Sequence, residues 1–149
     1  MTPIDFKLYF EKYIRVQLNW RLLLSSNCSI EFRYLSLPNQ GDLIYTPWYI
    51  DTNGLVCPFS ENNAKPQSVK DAASNNSIRT NYRVLSTFLN PSILLVPAYD
   101  LQQKDYILLL DGNHRAVSAQ ISASKVGILA VVIVKGPIDS NVLPDLMHW

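Results

Sequence analysis

Residues 106–119 read YILLLDGNHRAVSA, an apolar run of strand length that meets a glycine turn and passes straight into a helical pattern. Ile107–Leu110 is uninterrupted and apolar, Gly112 can take backbone conformations closed to other residues, and Ala116, Ala119 and Ile121 supply the apolar side of the segment that follows. The first turn of a helix carries backbone N–H groups without internal partners and the positive end of the helix dipole. Gly112, Asn113 and His114 would therefore aim donors at one point, and Arg115 adds a fixed positive fork beside them. This combination describes a phosphate site.

Working outward, 149 residues of which 48% are hydrophobic suffice for one domain with a real core, without disulfide or metal support. Thirteen basic against twelve acidic residues leave a net charge of +1, which argues against a protein that coats a nucleic-acid backbone, though not against a local basic patch. Cys28 and Cys57 form no Cys-x-x-Cys pattern, so neither a zinc ribbon nor a thioredoxin-type centre is written here, and two thiols in a reducing compartment are expected. No basic-then-apolar leader opens the chain, and the apolar run Ile128–Val134 is too short to cross a bilayer. The expectation is a cytoplasmic protein with no membrane partner.

Thr2, Pro3 and Asp5 make a helix start, and apolar positions Phe6, Tyr9, Tyr13, Val16, Trp20 and Leu23, three and four apart, predict one long helix ending at Ser25–Asn27. Ser29–Leu37 alternates as a strand with Ile30, Phe32 and Tyr34 on one face. Asn39-Gln40-Gly41 then predicts a hairpin into Leu43–Tyr49. Residues 51–77 are polar and aperiodic and read as an ordered surface loop or a mobile flap. A short helix over Asn81–Leu89, a strand over Ile93–Val96, a turn over Asp100–Lys104, a helix over Arg115–Ser124 and a buried strand over Ile128–Val134 complete the pattern. The domain reading is one unit over 1–149: helix and hairpin extension (1–50), polar loop (51–77) and core (78–149).

The order helix, strand, turn, strand, D-G-N-H-R, helix, glycine, strand across Asn81–Val134 resembles the ParB/sulfiredoxin superfamily, whose members carry G-x-[HR]-R at this junction. Asp111, Gly112, Asn113, His114, Arg115 and Ala119 carry the resemblance. It implies a small α/β (α+β) domain with a mixed sheet and flanking helices, binding nucleotide phosphates on the motif loop. The superfamily's activities diverge among CTP-dependent DNA clamps, sulfinic acid reduction with ATP and phosphoryl transfer to serine, and fold does not choose among them. Asn113 stands where sulfiredoxins place the reactive cysteine, so sulfinic acid reduction does not fit. His114-Arg115 stands where partition proteins show Arg-Arg, and no residues follow Trp149 for the helix-turn-helix domain into which they continue, so a stand-alone partition clamp is not expected. The D-G-x-H-R form is closer to the serine-kinase branch and to D-G-Q-H-R proteins associated with DNA modification.

On that basis Asp111 is the candidate catalytic residue, holding Mg²⁺ or accepting a hydroxyl proton, unless it is a turn residue or helix cap. Gly112, Asn113, His114 and Arg115 are the candidate cofactor-binding residues for a nucleoside di- or triphosphate with Mg²⁺. Arg115 could instead pair with Asp111. His114 could donate to phosphate or fix the loop through a backbone carbonyl, and Asn113 could simply tolerate left-handed geometry. A further acid needed for transfer could come from Asp51, Glu61 or Asp71. The function expected is nucleotide binding with phosphoryl transfer or hydrolysis. The competing reading is a non-catalytic nucleotide sensor or a DNA-associated accessory protein with a protein or DNA partner.

Overall fold

A strand apolar at consecutive positions points hydrophobic side chains to both faces of its sheet, so Ile128–Val134 demands cover on two sides. The computed structural model describes residues 1–84, 93–122 and 127–149. In chain order it holds helices Pro3–Phe10 (α1) and Trp20–Ser25 (α2), then strands Ser29–Leu37 (β1), Ile44–Ile50 (β2), Val56–Cys57 (β3) and Lys65–Ser68 (β4). Helices Val69–Ala73 (α3) and Asn76–Asn81 (α4), strands Ile93–Asp100 (β5) and Ile107–Leu109 (β6), helix Asn113–Ile121 (α5), strand Gly127–Lys135 (β7) and a 3₁₀ turn at Pro144–His148 follow. The fold is α+β. Its mixed seven-stranded sheet runs β1-β7-β5-β6-β2-β3, with β4 on β2.

β7 lies antiparallel to β1 and parallel to β5, and both of its faces are covered. On one face Leu94, Val96, Ala98, Leu129, Val131 and Ile133 pack with Val69 and Ala72 of α3 and Ala116 and Val117 of α5. On the other, Tyr99, Leu108, Val132 and Val134 meet Phe6 and Phe10 of α1, Leu23 of α2 and Leu143 and Leu146 near the C-terminus. No helix among the described residues is long and apolar enough to cross a membrane.

The helix start at Thr2 forms as expected: the Thr2 hydroxyl accepts from the Asp5 N–H, the Asp5 carboxylate accepts from the Thr2 N–H, and Pro3 opens the first turn. The single long helix does not form. α1 ends at Phe10, the Asn19 N–H donates to Val142 O, and the Asn19 side chain caps α2 by accepting from the Leu22 N–H. An Asn cap satisfies a donor that an unbroken helix would bond internally, and docking on residue 142 holds the break. The expected hairpin is also absent, because β1 pairs with β7 and β2 pairs with β6, β3 and β4. Pro38, directly after β1, has no N–H to begin a ladder, and the turn that follows carries the chain across to the other half of the sheet. β1 and β2 are thus both strands of the one sheet, with α1 and α2 preceding them.

Residues 51–77, expected as a loop or flap, contain β3, β4, α3 and the start of α4. Ser68 and Asp71 form a reciprocal capping box on α3, and the Asn75 side chain accepts from the Ile78 N–H to start α4. The helix expected from Asn81 instead ends there, and its remainder over residues 85–89 lies outside the described residues. Residues 123–124, expected to finish the helix after the motif, also lie outside them.

Asp145 ties the C-terminal turn to the sheet. Its carboxylate accepts from the Tyr49 hydroxyl at 2.6 Å, and both residues are buried. Burial raises the Asp145 pKa above its ordinary 3.8, with the Tyr49 hydrogen bond, backbone hydrogen bonding and His148 opposing the rise. Because the folded state holds this proton more tightly than the unfolded chain, the group's contribution is fully present below the unfolded pKa and declines as pH rises through the folded one. Urea titrations from pH 3 to 7 should show wild type losing stability relative to the Asp145→Asn variant above the ordinary value of 3.8. A constant difference between the two proteins would contradict this.

Candidate functional site

β2 and β6 run parallel, with Ile44 opposite Ile107 and Tyr45 opposite Leu108, and then separate. Tyr49 and Ile50 pair with Cys57 and Val56 of β3, while Tyr45, Tyr49 and Ile50 pair with β4 on the other edge. Between these contacts Thr46, Pro47 and Trp48 carry no partner on the β6 side: Pro47 has no N–H, and the Trp48 N–H is accepted by the Thr46 hydroxyl at 3.3 Å. A crevice opens at the carboxyl end of β6, the place where α/β sheets commonly receive ligands. Its volume is about 270 Å³, and it is walled by Arg15, Val16, Pro47, Trp48 and Leu110–Arg115.

The chain crosses the crevice floor on Gly112, at φ +82°, and a Cβ there would lie 2.6 Å from Val96 Cγ1. Glycine is therefore required twice, for its backbone conformation and for its closeness to β5. Gly112 is the N-cap of α5 with no side-chain cap, and the Ala116 N–H is the first to bond inside the helix, to Gly112 O. Among the described residues the N–H groups of Asn113, His114 and Arg115 have no acceptor. Asn113 Oδ1 is buried without a hydrogen-bond partner among them.

His114 takes the second of its two expected roles. Its Nε2 donates to Tyr82 O at 2.8 Å, and its ring lies edge-on to Trp48 with centroids 5.1 Å apart. Trp48 in turn stacks flat on Tyr82 at 4.4 Å. The first turn of α5 is thereby locked to β2 and to the end of α4. Arg115 reaches back to Asp111, Nη2 to Oδ2 at 3.9 Å, with the arginine side chain 54% exposed. That pair is long and wet, so it contributes about 0–1 kcal/mol and holds neither group firmly.

The structure brings Asp111–Arg115 together and leaves out the other acids named from sequence. Asp51 accepts from the N–H groups of Asn53 and Leu55, Asp71 caps α3, and neither they nor Glu61 line the crevice. Among the described residues no three His, Cys, Asp or Glu side chains converge on a metal position, so Mg²⁺ at Asp111 would take its other ligands from phosphate oxygens and water. Sequence reasoning missed Arg15 and Trp48, which the break after α1 and the unhooked stretch of β2 deliver to the crevice. A proline followed by tryptophan inside an otherwise regular strand was the available signal for Trp48. A second hollow of about 250 Å³, walled by Tyr9, Phe10, Tyr13, Leu95, Asp111 and Arg115, adjoins the first across the ion pair.

Comparison with protein-family models, curated proteins and solved structures finds no match.

Gly112→Ala should destabilise the fold by about 2–3 kcal/mol, from overpacking against Val96 and the positive φ together. Gly112→Asn should relieve the backbone cost but not the contact, and urea midpoints rank the three proteins. Equal midpoints would remove the requirement for glycine.

Proposed function

We propose that the protein binds nucleotide phosphates at the Asp111–Arg115 loop, in the manner implied by its resemblance to the ParB/sulfiredoxin superfamily. One observation carries the reading: three N–H groups at the start of α5 that have no acceptor among the described residues belong to residues that share a crevice with two guanidinium-bearing residues, Arg15 and Arg115. Backbone donors, the helix dipole and a planar cationic fork are the elements that hold a phosphate. A phosphate there would draw Arg115 from its loose pair with Asp111 and free that carboxylate for Mg²⁺. The tyrosine hollow on the other side of Arg115 offers half-exposed rings against which a base can stack.

His114 supports the loop from behind in this reading. Asp111 is the one acid on the crevice wall among the described residues, which favours binding over transfer to an acceptor. Phosphoryl transfer or hydrolysis is the second reading, and it rests on Asp111 alone.

Thermal unfolding with ATP, CTP, GTP and ADP, with and without Mg²⁺, tests the proposal. A nucleotide at a hundred times its Kd stabilises the fold by about 2.7 kcal/mol. Arg115→Ala should weaken binding about ten- to a hundredfold through loss of a charge-assisted hydrogen bond. Tyr13→Ala should weaken nucleotide binding but leave pyrophosphate binding unchanged. No shift with any nucleotide, or equal affinity in the Arg115→Ala variant, would end the proposal, and product formation abolished by Asp111→Ala would establish turnover.

A further inference from the structure

β1 closes one side of the sheet, paired with β7 along one edge and with no strand on the other among the described residues. Ser36 reveals which of its peptide groups face outward. The Ser36 N–H donates to Gln40 Oε1 and its C=O accepts from the Gln40 N–H, so neither bonds to β7. The N–H and C=O of one residue share a side, and the sides alternate along a strand. The backbone groups of Ile30, Phe32 and Tyr34 therefore also point away from β7. Their side chains share one sheet face, on which Phe32 is 60% and Tyr34 75% exposed, while Glu31 and Arg33 lie on the other. A nine-residue edge with two wet aromatic rings is a template for strand addition.

We propose that two copies of the protein associate by antiparallel pairing of β1 with β1 about a two-fold axis at Phe32. In this register Phe32 faces Phe32 of the second copy, and Ile30 faces Tyr34 in two symmetry-related pairs. Because these residues present their backbone groups outward, the pairs exchange about six hydrogen bonds. Glu31 then faces Arg33 of the second copy, again twice, at the closer non-bonded positions where opposite charges attract. Moving the axis by one residue sets Glu31 against Glu31, or Arg33 against Arg33. The charges thus single out one register, and the interface is self-complementary as a two-fold contact must be. Arg33 uses two donors within its own chain, to Asp105 O and Glu31 Oε1, of the five a guanidinium carries. An extended foreign peptide could use the same edge, but it would not account for a strand whose charges complement themselves.

Sedimentation equilibrium over a wide concentration range, with amide hydrogen exchange at low and high concentration, tests this. Dimerisation is expected to slow exchange at Ile30, Phe32 and Tyr34 as concentration rises. Phe32→Pro removes an outward N–H while sparing the β1–β7 ladder, so it should yield a monomer with unchanged far-ultraviolet circular dichroism. Glu31→Arg turns two attractions into two repulsions and should raise the dimer Kd about tenfold or more. A monomer at every concentration, or a dimer indifferent to Phe32→Pro, overturns the proposal. A Kd unchanged by Glu31→Arg overturns the register.

Discussion

β2 cannot remain hydrogen-bonded along its β6 side, and the candidate site follows from that single break. Two parallel strands that stayed paired would leave no space between them. Here Pro47 offers no donor and the Trp48 N–H is turned to the Thr46 hydroxyl, which itself donates to Gln67 O at 2.8 Å. The Trp48 N–H and the Thr46 hydroxyl are thus satisfied without the ladder. Once β2 is released, the chain leaving β6 turns over β5 at Gly112 and enters α5, whose first residues Asn113, His114 and Arg115 line the gap.

A gap at a sheet's end tends to collapse, and an aromatic lock holds this one open. Trp48, Tyr82 and His114 each contact the other two, through a stack, an edge contact and a hydrogen bond. Two aromatic pairs at about 0.5–1.5 kcal/mol each and a hydrogen bond near 1 kcal/mol offset the side-chain entropy lost by the three rings. Tyr82 is fixed in turn by the end of α4, where the Val84 N–H bonds to Arg79 O and the Arg83 N–H to Thr80 O, with Arg83 at φ +52°. Because His114 is bound into this lock, the proposed phosphate site relies on the backbone and on Arg115.

The junction at Ile107–Ala119 was legible because each residue type there has one economical use: apolar run, obligatory glycine, small helical face. β1 was legible to the residue from alternation, yet its exposed and covered faces were not, because which face a sheet hides depends on what later segments lay on it. The sequence suggests a helix beginning at Asn81, where α4 in fact ends, because an arginine at 83 occupies the left-handed position that a glycine would have advertised. The three-four repeat predicts a single N-terminal helix, but α1 ends at Phe10 and α2 starts afresh at Asn19, whose N–H donates to Val142 O in a tertiary contact that no local pattern encodes. Ser68-x-x-Asp71 was, by contrast, a readable start signal inside a stretch whose polarity suggested a loop.

The Asp111–Arg115 pair explains how one loop could be stable empty and still receptive. Left alone at the start of α5, the guanidinium would oppose the helix dipole, and the carboxylate at 3.9 Å offsets that repulsion at little gain of its own. A charge-assisted hydrogen bond to a phosphate oxygen contributes about 1.5–3 kcal/mol, more than the exposed pair it replaces. Exchange of the carboxylate for a phosphate is therefore downhill for Arg115. Asp111, half-buried and released, would then stand beside the new anion as a like charge. That juxtaposition is unfavourable without a cation, which is the physical reason to expect Mg²⁺ to strengthen the nucleotide binding proposed for this loop.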